Sequence, residues 1–572
     1  MNDNSSLKIT ITKALSLLNQ QQKKKLRQWF WIAILGSLLQ AFGVISIMPF
    51  VALMSDPSLI QDNQVFLFLY ELLGSSSYNQ FLLAIGLGTI SIFVLSSAYS
   101  IFEVWYGFRL FNQLESELSI RLFKGYAFLD YAFFLRQNQS EAIRRVTQEV
   151  EIGIVDVVIT SIEIFSSILL ALIIIIFLTY VNPWVALISG SGLFFAHLWI
   201  DRFIGKKIVY LGRHFTRLND RLLNTASELF SGIKEIKISA AETRFVQQYA
   251  DTYKALSKYS TLYGVLEYTP REIMESITYI SIVLFSIFAI VFYQTPETVF
   301  PLIALYTLAA YRLIPAAREI FTGIEKIHLS EYSLSKLSKD FEQIKTTSEV
   351  SNITIPIPLK QDITLKNICF SYQSETQAIF KNFNTIIKAG HHTLISGPSG
   401  IGKTTLADII MGLLDVSSGE IIVDGTVIKK DMWKSWRNSI GYVPQSIFLF
   451  QGSITQNVAI AEEESKINLD RVKHCCEIAQ ISTYIESLKN NYQTILGQGN
   501  QLLSGGQLKR LGIARALYKN PSLLILDEST NEMEDLKKEG VLSALKIINN
   551  LTVLIISHDQ KIASQCDQII KL

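Results

Sequence analysis

The sequence predicts an α-helical membrane domain with six transmembrane helices, followed by a soluble α/β domain. Two observations predict this order: long apolar stretches crowd roughly the first 320 residues, and a glycine-rich loop and an aliphatic run ending in two acids follow them. With 572 residues, the chain is also too long for one hydrophobic core. We place the membrane domain at residues 1–325, a linker at 326–360 and the soluble domain at 361–572.

The membrane domain is predicted from the length of its apolar stretches. A helix that crosses a bilayer needs about 20 mostly apolar residues, because unpaired backbone groups are costly in hydrocarbon. Six stretches qualify, the shorter ones with mixed flanks: Trp29 to Met54, Phe81 to Phe102, Ile164 to Tyr180, Trp184 to Ile200, Ile277 to Tyr293 and Val299 to Ala317.

The distribution of Lys and Arg predicts the orientation. Ser55 to Gln80, Val181 to Pro183 and Gln294 to Thr298 contain neither residue, whereas both are frequent before the first span and in two long inserts. Since Lys and Arg accumulate on the cytoplasmic side, both termini are expected there. The first 20 residues have no long apolar core, so we expect no cleaved signal peptide. The net charge of +2 gives no reason to expect a nucleic-acid partner.

The two inserts, Arg109 to Glu163 and Asp201 to Glu275, are too long for turns and have helical periodicity. We expect them to continue the membrane helices far into the cytoplasm. Their tips, near Tyr131 to Gln139 and Glu228 to Lys237, are the predicted contacts with the soluble domain.

An apolar segment, Val65 to Leu73, lies between the first two spans and has about half the length needed to cross a bilayer. It is expected on the outer membrane surface. A loop helix packed on other helices is the open alternative.

Arg312 is the charged residue of the spans that most merits a functional hypothesis, because charge inside a bilayer is costly. It lies about 21 Å from the outer end of the sixth span at helical rise, and Arg318 follows one to two turns deeper. A guanidinium binds phosphate in bidentate fashion, so both arginines are candidate substrate contacts. The alternatives for Arg312 are snorkelling or an ion pair with Glu103, Glu163 or Glu275.

The soluble domain contains the run GPSGIGKT at Gly397 to Thr404. Its pattern is typical of a loop whose backbone N–H groups surround phosphates. Lys403 is expected to reach the β- and γ-phosphates, and Thr404 to ligate magnesium. The predicted nucleotide-binding residues of this run are Gly397, Pro398, Ser399, Gly400, Ile401, Gly402, Lys403, Thr404 and Thr405.

Downstream, four aliphatic residues, Leu523 to Leu526, precede Asp527 and Glu528. Such a run predicts a buried strand that ends beside the phosphates. Asp527 fits a magnesium ligand, and Glu528 fits a general base that orients the attacking water.

Between these motifs, LSGGQ at Leu503 to Gln507 resembles the signature of ABC-family ATPases. The resemblance extends to Gln445 in YVPQ, which matches the Q-loop glutamine, and to His558 in ISHD, which matches the switch histidine. Tyr372 in FSY matches the aromatic residue that stacks on adenine. The resemblance implies an ABC exporter: a membrane domain fused to an α/β P-loop ABC ATPase domain, with ATP and Mg2+ as cofactors.

The same resemblance implies roles for single residues. It implies that the catalytic residues are Glu528, His558, Gln445 and Lys403. It also implies that the metal ligands are Thr404, Gln445 and Asp527. The signature residues Ser504, Gly505, Gly506 and Gln507 close on ATP held by the glycine-rich loop of a second subunit, so a homodimer is expected in preference to a heterodimer.

Two segments depart from the family pattern. Asn531 to Glu534 replaces the usual SALD, and Gln498 stands where an acid is common. Contact between the two opposed sites and signalling to the membrane helices are therefore open.

The substrate is predicted less directly. FGVISIMPFVALMSDPSLI, the predicted surface helix and YRLIPAAREI resemble bacterial flippases of lipid-linked oligosaccharides. This resemblance implies the bacterial inner membrane and makes Arg312 a pyrophosphate contact, with a weaker match at Arg318. The short basic start, without a peptidase domain, argues against peptide exporters that carry a protease. Export of another lipid, a peptide or a drug, or an ATP-gated channel, stays open.

Overall fold

The computed structural model describes residues 3–75, 77–135, 139–181, 183, 201–293, 296–346, 355–372, 378–497, 502–529 and 535–572. Contacts divide the chain into two compact units. The N-terminal unit comprises Met1–Leu129 and Asn138–Thr347, and the C-terminal unit comprises Asp130–Gln137 and Ser348–Leu572. The short segment 130–137 therefore belongs to the C-terminal unit, although it lies within the N-terminal half of the sequence.

The described part of the N-terminal unit is helical. Its α-helices, with α6 of the C-terminal unit kept in chain order, are α1 (Asp3–Ser16), α2 (Gln20–Ser55), α3 (Leu59–Asp62), α4 (Gln64–Leu72), α5 (Tyr78–Ala127), α6 (Tyr131–Phe134), α7 (Gln139–Arg144), α8 (Asp156–Val181), α9 (Lys206–Ser231), α10 (Ile233–Ile238), α11 (Glu242–Tyr293) and α12 (Pro296–Thr346). Three π-helical segments, Arg145–Glu149, Glu151–Val155 and Asp201–Gly205, interrupt this order.

Three helical stretches of the described residues are long and apolar enough to cross a membrane: Gln20–Ser55, Tyr78–Ala127 and Glu151–Val181. They contain the first three predicted spans. The predicted span Trp184 to Ile200 lies outside the described residues. The fifth and sixth predicted spans lie within α11 and α12.

The long helices extend well beyond a bilayer, as the inserts predict. Helix α5 has 50 residues and α11 has 52, which corresponds to about 75 Å or more at helical rise, against a hydrocarbon core of about 30 Å. Helix α12 runs without a break to Thr346, through the first part of the segment predicted as a linker.

Apolar side chains hold α2, α8 and α12 together. Ala41 and Val44 of α2 pack with Leu170 and Ile174 of α8 and with Leu305 of α12 in one buried cluster. Beyond the predicted spans, buried apolar side chains such as Leu114 of α5 and Phe341 of α12 continue the packing, and polar contacts join them.

The polar contacts centre on Asp340 of α12. The Tyr126 hydroxyl donates to Asp340 at 2.7 Å, and Arg145 donates to both oxygens of the same carboxylate at 2.7 and 2.9 Å. Both hydrogen bonds come from Nη1 of Arg145, and the buried ion pair joins the π-helical segment Arg145–Glu149 to α12.

The C-terminal unit contains two main sheets. Its strands are β1 (Asp362–Phe370), β2 (Phe380–Lys388), β3 (His392–Ser396), β4 (Ser418–Val423), β5 (Thr426–Val427), β6 (Ile440–Val443), β7 (Gly452–Ser453), β8 (Ile495–Leu496), β9 (Leu523–Asp527), β10 (Thr552–Ile556) and β11 (Gln568–Lys571). An antiparallel sheet has the order β2-β1-β4-β5, and a parallel sheet has the order β11-β3-β10-β9-β6. Strands β7 and β8 form a separate pair.

The parallel sheet is the centre of this unit. All five residues of β9 and of β10 are buried, which explains their continuous aliphatic sequence. The helices of the unit after α6 are α13 (Lys403–Ile410), α14 (Trp433–Arg437), α15 (Ile454–Val458), α16 (Leu469–Ile478), α17 (Ser482–Ser487), α18 (Gly505–Tyr518), α19 (Asp535–Ile547) and α20 (Gln560–Ala563). Because parallel strands end at the same edge, the loops after β3 and β9 are brought together.

Candidate nucleotide-binding site

The glycine-rich loop connects β3 to α13, as its sequence predicts. Gly400 and Gly402 have φ values of +81° and +110°, which favour glycine. A Cβ atom at Gly402 would lie 2.6 Å from Cγ2 of Ile379, so the position also lacks room for a side chain. The loop therefore follows a backbone path that only glycine supports.

Lys403 folds back over this loop. Its Nζ donates to the carbonyl oxygens of Gly397 at 3.0 Å and Pro398 at 2.9 Å, and the residue is 6% exposed. No carboxylate of the described residues lies within 4.0 Å of this ammonium group. A buried cation held by carbonyl oxygens at the N-terminus of a helix is suited to binding phosphate.

Asp527, at the end of β9, lies beside the first turn of α13. Its Oδ1 accepts from the Thr404 hydroxyl at 3.4 Å, and its Oδ2 accepts from the Tyr442 hydroxyl at 3.3 Å. Burial raises the pKa of Asp527, while the hydrogen bonds from Thr404 and Tyr442 act in the opposite direction. A carboxylate and a hydroxyl oxygen this close together are hard ligands of the kind that Mg2+ takes, so these residues fit the predicted metal.

Glu528 follows in the left-handed region, with φ of +46°. Its Oε2 accepts from Gln445 Nε2 at 2.8 Å, and its Oε1 lies 3.2 Å from His558 Nε2. Its backbone N–H donates to Ile556 at 3.0 Å, which ties the residue to β10. The structure thus brings together three of the four predicted catalytic residues on one carboxylate, in a backbone conformation that is costly for a residue other than glycine.

Tyr372, the predicted adenine-stacking residue, follows β1. Its hydroxyl lies 3.2 Å from the Thr405 hydroxyl, so the ring is placed next to α13. Tyr131 of α6 belongs to the same neighbourhood, since burial raises its pKa and the nearby Asp408 and Tyr372 raise it further.

The signature residues stand at the start of α18. Ser504 is the N-cap residue, and it forms a capping box with Gln507: Ser504 N donates to Gln507 Oε1 at 2.7 Å, and Gln507 N donates to the Ser504 hydroxyl at 3.4 Å. Ser504 and Gly505 are exposed. Within the described residues, the hydrogen bonds of the Ser504 side chain stay in this turn, so the structure does not bring it to the glycine-rich loop of its own chain.

Two residues of this site were not found from the sequence. Lys509 of α18 donates to the backbone oxygen of Gln445, and Tyr442 contacts Asp527 as described above. Lys509 lies outside the motifs that the sequence singles out. Tyr442 is the first residue of the YVPQ run, for which the sequence predicted a role for Gln445 alone.

The insert tip predicted at Tyr131 to Gln139 has its described α-helix, α6, inside the C-terminal unit. Ala132 packs against the apolar cluster of β1 and α13, and the Asp130 carboxylate lies 3.5 Å from Lys430 Nζ. This part of the contact prediction is confirmed. The divergent positions Gln498 and Asn531 to Glu534 lie outside the described residues.

The two candidate substrate residues lie on α12 and differ in their surroundings. Arg312 lines a cavity of about 330 Å3 in the N-terminal unit, together with Glu103 and Glu163. Arg318 is exposed and does not line this cavity. Among the described residues, Arg312 forms no ion pair within 4.0 Å, so neither Glu103 nor Glu163 supplies the ion pair considered as an alternative.

The chain is similar to known ABC transporters. Residues 380–531 match the ABC transporter family, and this segment includes the glycine-rich loop, the signature and the two acids. The ATP-dependent lipid A-core flippase of Ralstonia nicotianae is 25% identical over 464 residues, which cover 81% of this chain and 78% of the relative. The Escherichia coli K12 flippase of the same name is 31% identical over 210 residues, 36% of each chain.

A Dictyostelium discoideum relative, ABC transporter B family member 1, is 25% identical over 481 residues, and the chain spans about half, 52%, of its length. Among solved structures, a bacterial Atm1-family ABC exporter with ATP bound has a TM-score of 0.75 and 22% identity, covering 96% of this chain and 93% of that one. At this identity the likeness shows the fold. The predicted order, a helical exporter domain followed by an ABC ATPase domain, is confirmed.

Proposed function

This chain is an ABC transporter of half-transporter architecture, homologous to lipid A-core flippases, and we propose from this premise that it couples ATP hydrolysis to the movement of an amphipathic lipid across a membrane. The observation that carries the proposal is the convergence of Gln445 and His558 on the carboxylate of Glu528. A carboxylate held by two side chains is suited to orienting a water molecule and accepting its proton.

The residues divide the work of hydrolysis. Lys403 and the loop backbone hold the phosphates, and Thr404 and Asp527, with Gln445, are the proposed ligands of Mg2+. The metal, when bound, would neutralise charge that develops on the phosphates. His558 orients Glu528, and Tyr372 supports adenine.

We assign the working form to a homodimer. Ser504 and Gly505 are exposed at the N-terminus of α18, where the N–H groups of the first helical turn have no acceptor within the helix. In a self-complementary pair, this helix end meets the phosphate held by the partner subunit. Segment 130–137 belongs to the C-terminal unit and follows α5 in the chain, so it would transmit nucleotide-dependent movement to that helix.

For the cargo we propose a lipid-linked oligosaccharide, moved across a bacterial inner membrane with both termini in the cytoplasm. The support is Arg312, a guanidinium that lines a cavity and has no ion-pair partner among the described residues. A phosphate-bearing head group supplies the negative charge that pairs with this guanidinium. The two flippase relatives named above act on lipid A-core, which is likewise an amphipathic cargo.

The test uses the purified full chain in lipid nanodiscs. Glu528→Gln is expected to slow ATP turnover by about 10²–10³-fold while nucleotide still binds, because the carboxylate acts on the attacking water and not on the phosphates. Glu539→Gln, an exposed position on α19, is the matched control. Lipid-linked oligosaccharide should stimulate turnover more than lipid A or peptides do.

Two outcomes contradict separate parts of the proposal. Turnover that is absent from the wild type, or that survives Glu528→Gln, removes the ATPase assignment. Turnover that responds to lipid A or peptide and ignores the lipid-linked sugar removes the cargo assignment alone.

A further inference from the structure

The cavity beside Arg312 contains more negative than positive side chains. It lies between α2, α5, α8 and α12, and the residues that matter to its chemistry are Trp29, Gln40, Glu103, Glu163, Arg312 and Glu319. Three of these carry carboxyl groups and one carries a guanidinium. Three carboxylates would repel a ligand that carries only phosphate. A ligand that fits this cavity therefore carries positive as well as negative charge.

The acids differ in how they are held. Glu319 accepts a hydrogen bond from the Ser167 hydroxyl at 2.7 Å. Glu103 and Glu163 have neither a hydrogen bond nor an ion pair within the described residues. The Glu103 carboxylate packs directly on the backbone of α2, since a Cβ atom at Gly36 would lie 2.1 Å from its Oε2. The Glu103 carboxylate thus occupies the space that a side chain at Gly36 would need.

A second, independent observation concerns Trp29. Its side chain lines the same cavity, is 4% exposed and leaves its indole Nε1–H without an acceptor in the part of the chain that the structure describes. An unpaired buried donor is costly, and a ligand oxygen would remove that cost. The indole nitrogen lies beside Gly107 of α5, one turn from Glu103, since a Cβ atom at Gly107 would lie 3.3 Å from it. The wall of the cavity therefore contains the Arg312 guanidinium and the Trp29 ring, together with the carboxyl groups of Glu103 and Glu163.

We propose that this cavity binds a zwitterionic lipid head group, with its phosphate oxygens at Arg312 and Trp29 and a cationic amine at Glu103 and Glu163. The inference rests on the proposed transport of a lipid-linked oligosaccharide and adds one feature to that cargo, an amine beside the phosphate of its head group. Each half of the ligand compensates the groups it meets: the amine supplies the positive charge that two unpaired carboxyl groups need, and the phosphate accepts from both donors.

The experiment compares three lipids with the same tails and different heads. The first carries an aminoethyl phosphate, the second carries the same head with its amine acetylated, and the third ends in a phosphomonoester. Binding of each radiolabelled lipid is measured without nucleotide, on the full chain in nanodiscs of anionic lipid. We expect the first lipid to bind about tenfold or more tightly than the other two, because only it pairs both sets of groups.

Variants assign that preference to the named side chains. In Glu103→Gln/Glu163→Gln the advantage of the aminoethyl lipid over the phosphomonoester should disappear, whereas Arg312→Gln should weaken both of these lipids. Glu115→Gln removes an acid from the same helix α5 outside the cavity and should leave binding unchanged.

The wild-type comparison requires no variant to fold, and equal binding of the aminoethyl and acetylated lipids would overturn the inference. Competition by free aminoethyl phosphate as strong as that by the lipid would also overturn it, because the ligand would then be a soluble zwitterion. ATP turnover is measured on the same samples: Glu528-dependent turnover without head-group preference removes this inference only, and absent turnover removes the proposed function.

Discussion

The hydroxyl of Tyr442 donates a hydrogen bond to Oδ2 of Asp527 at 3.3 Å. Thr404 donates to the other oxygen of that carboxylate, so Asp527 is fixed from both sides. Tyr442 is the last residue but one of β6, and Asp527 ends the adjacent parallel strand β9. A phenol on one strand thereby orients the proposed metal ligand at the end of the next.

Tyr442→Phe is expected to lower the affinity for magnesium, so that ATP turnover requires more Mg2+. Without the phenol hydroxyl, Asp527 keeps only the hydrogen bond from Thr404, and partners that orient metal ligands typically contribute about 10–100-fold to metal affinity or activity. The measurement is the Mg2+ concentration that gives half-maximal turnover, which should rise by about tenfold.

Tyr492→Phe provides the matched control for this prediction. The Tyr492 hydroxyl is buried and has no hydrogen-bond partner among the described residues, so its removal should not change the Mg2+ requirement. If both variants behaved like the wild type, Tyr442 would have no orienting role.

Gly402→Ala is expected to abolish nucleotide binding. The new Cβ atom would meet Ile379 at 2.6 Å in a backbone conformation with φ of +110°, so the loop must change its path. Binding of a fluorescent ATP analogue to the purified protein measures the effect.

Gly425→Ala separates a steric clash from backbone strain. Gly425 has φ of +78° in the turn between β4 and β5, and a Cβ atom there meets nothing within 4 Å. The substitution should lower stability by about 1 kcal/mol and leave nucleotide affinity unchanged. Equal loss of affinity in both glycine variants would show that the clash with Ile379 is not the cause.

Asp408 of α13 is expected to make the C-terminal unit less stable as pH rises. Burial, with a further contribution from Asp527, raises its pKa from 3.8 to about 6. Between these values the folded state binds more protons than the unfolded state, so the free energy of unfolding falls as pH increases. The shift corresponds to a penalty on the order of 3 kcal/mol at neutral pH.

Asp408→Asn tests this effect by removing the charge. Its melting temperature should exceed that of the wild type at pH 8, and the difference should shrink towards pH 4, where both side chains are neutral. Asp431→Asn, at an exposed position, is the control and should show no pH-dependent gain. A constant difference across this range would mean that packing, and not ionisation, separates the variants.

Much of the site was predictable because its chemistry is local in sequence. Lys403 and Thr404 follow a loop whose glycines determine the backbone path, and Asp527 and Glu528 follow a run that is buried because it is aliphatic. The capping box of Ser504 and Gln507 likewise depends on residues three apart. Nearby residues constrain one another through backbone geometry, which a sequence displays directly.

The sequence by itself determined the order of the two domains, the glycine-rich loop, the signature helix and the acids that end β9. Only the tertiary structure decided that Tyr442 contacts Asp527 and that Trp29, Glu103 and Arg312 line one cavity. These groups come from elements far apart in the chain, and their meeting depends on how helices and strands pack. Packing is set by the fit of many weak contacts at once, and no short stretch of sequence records it.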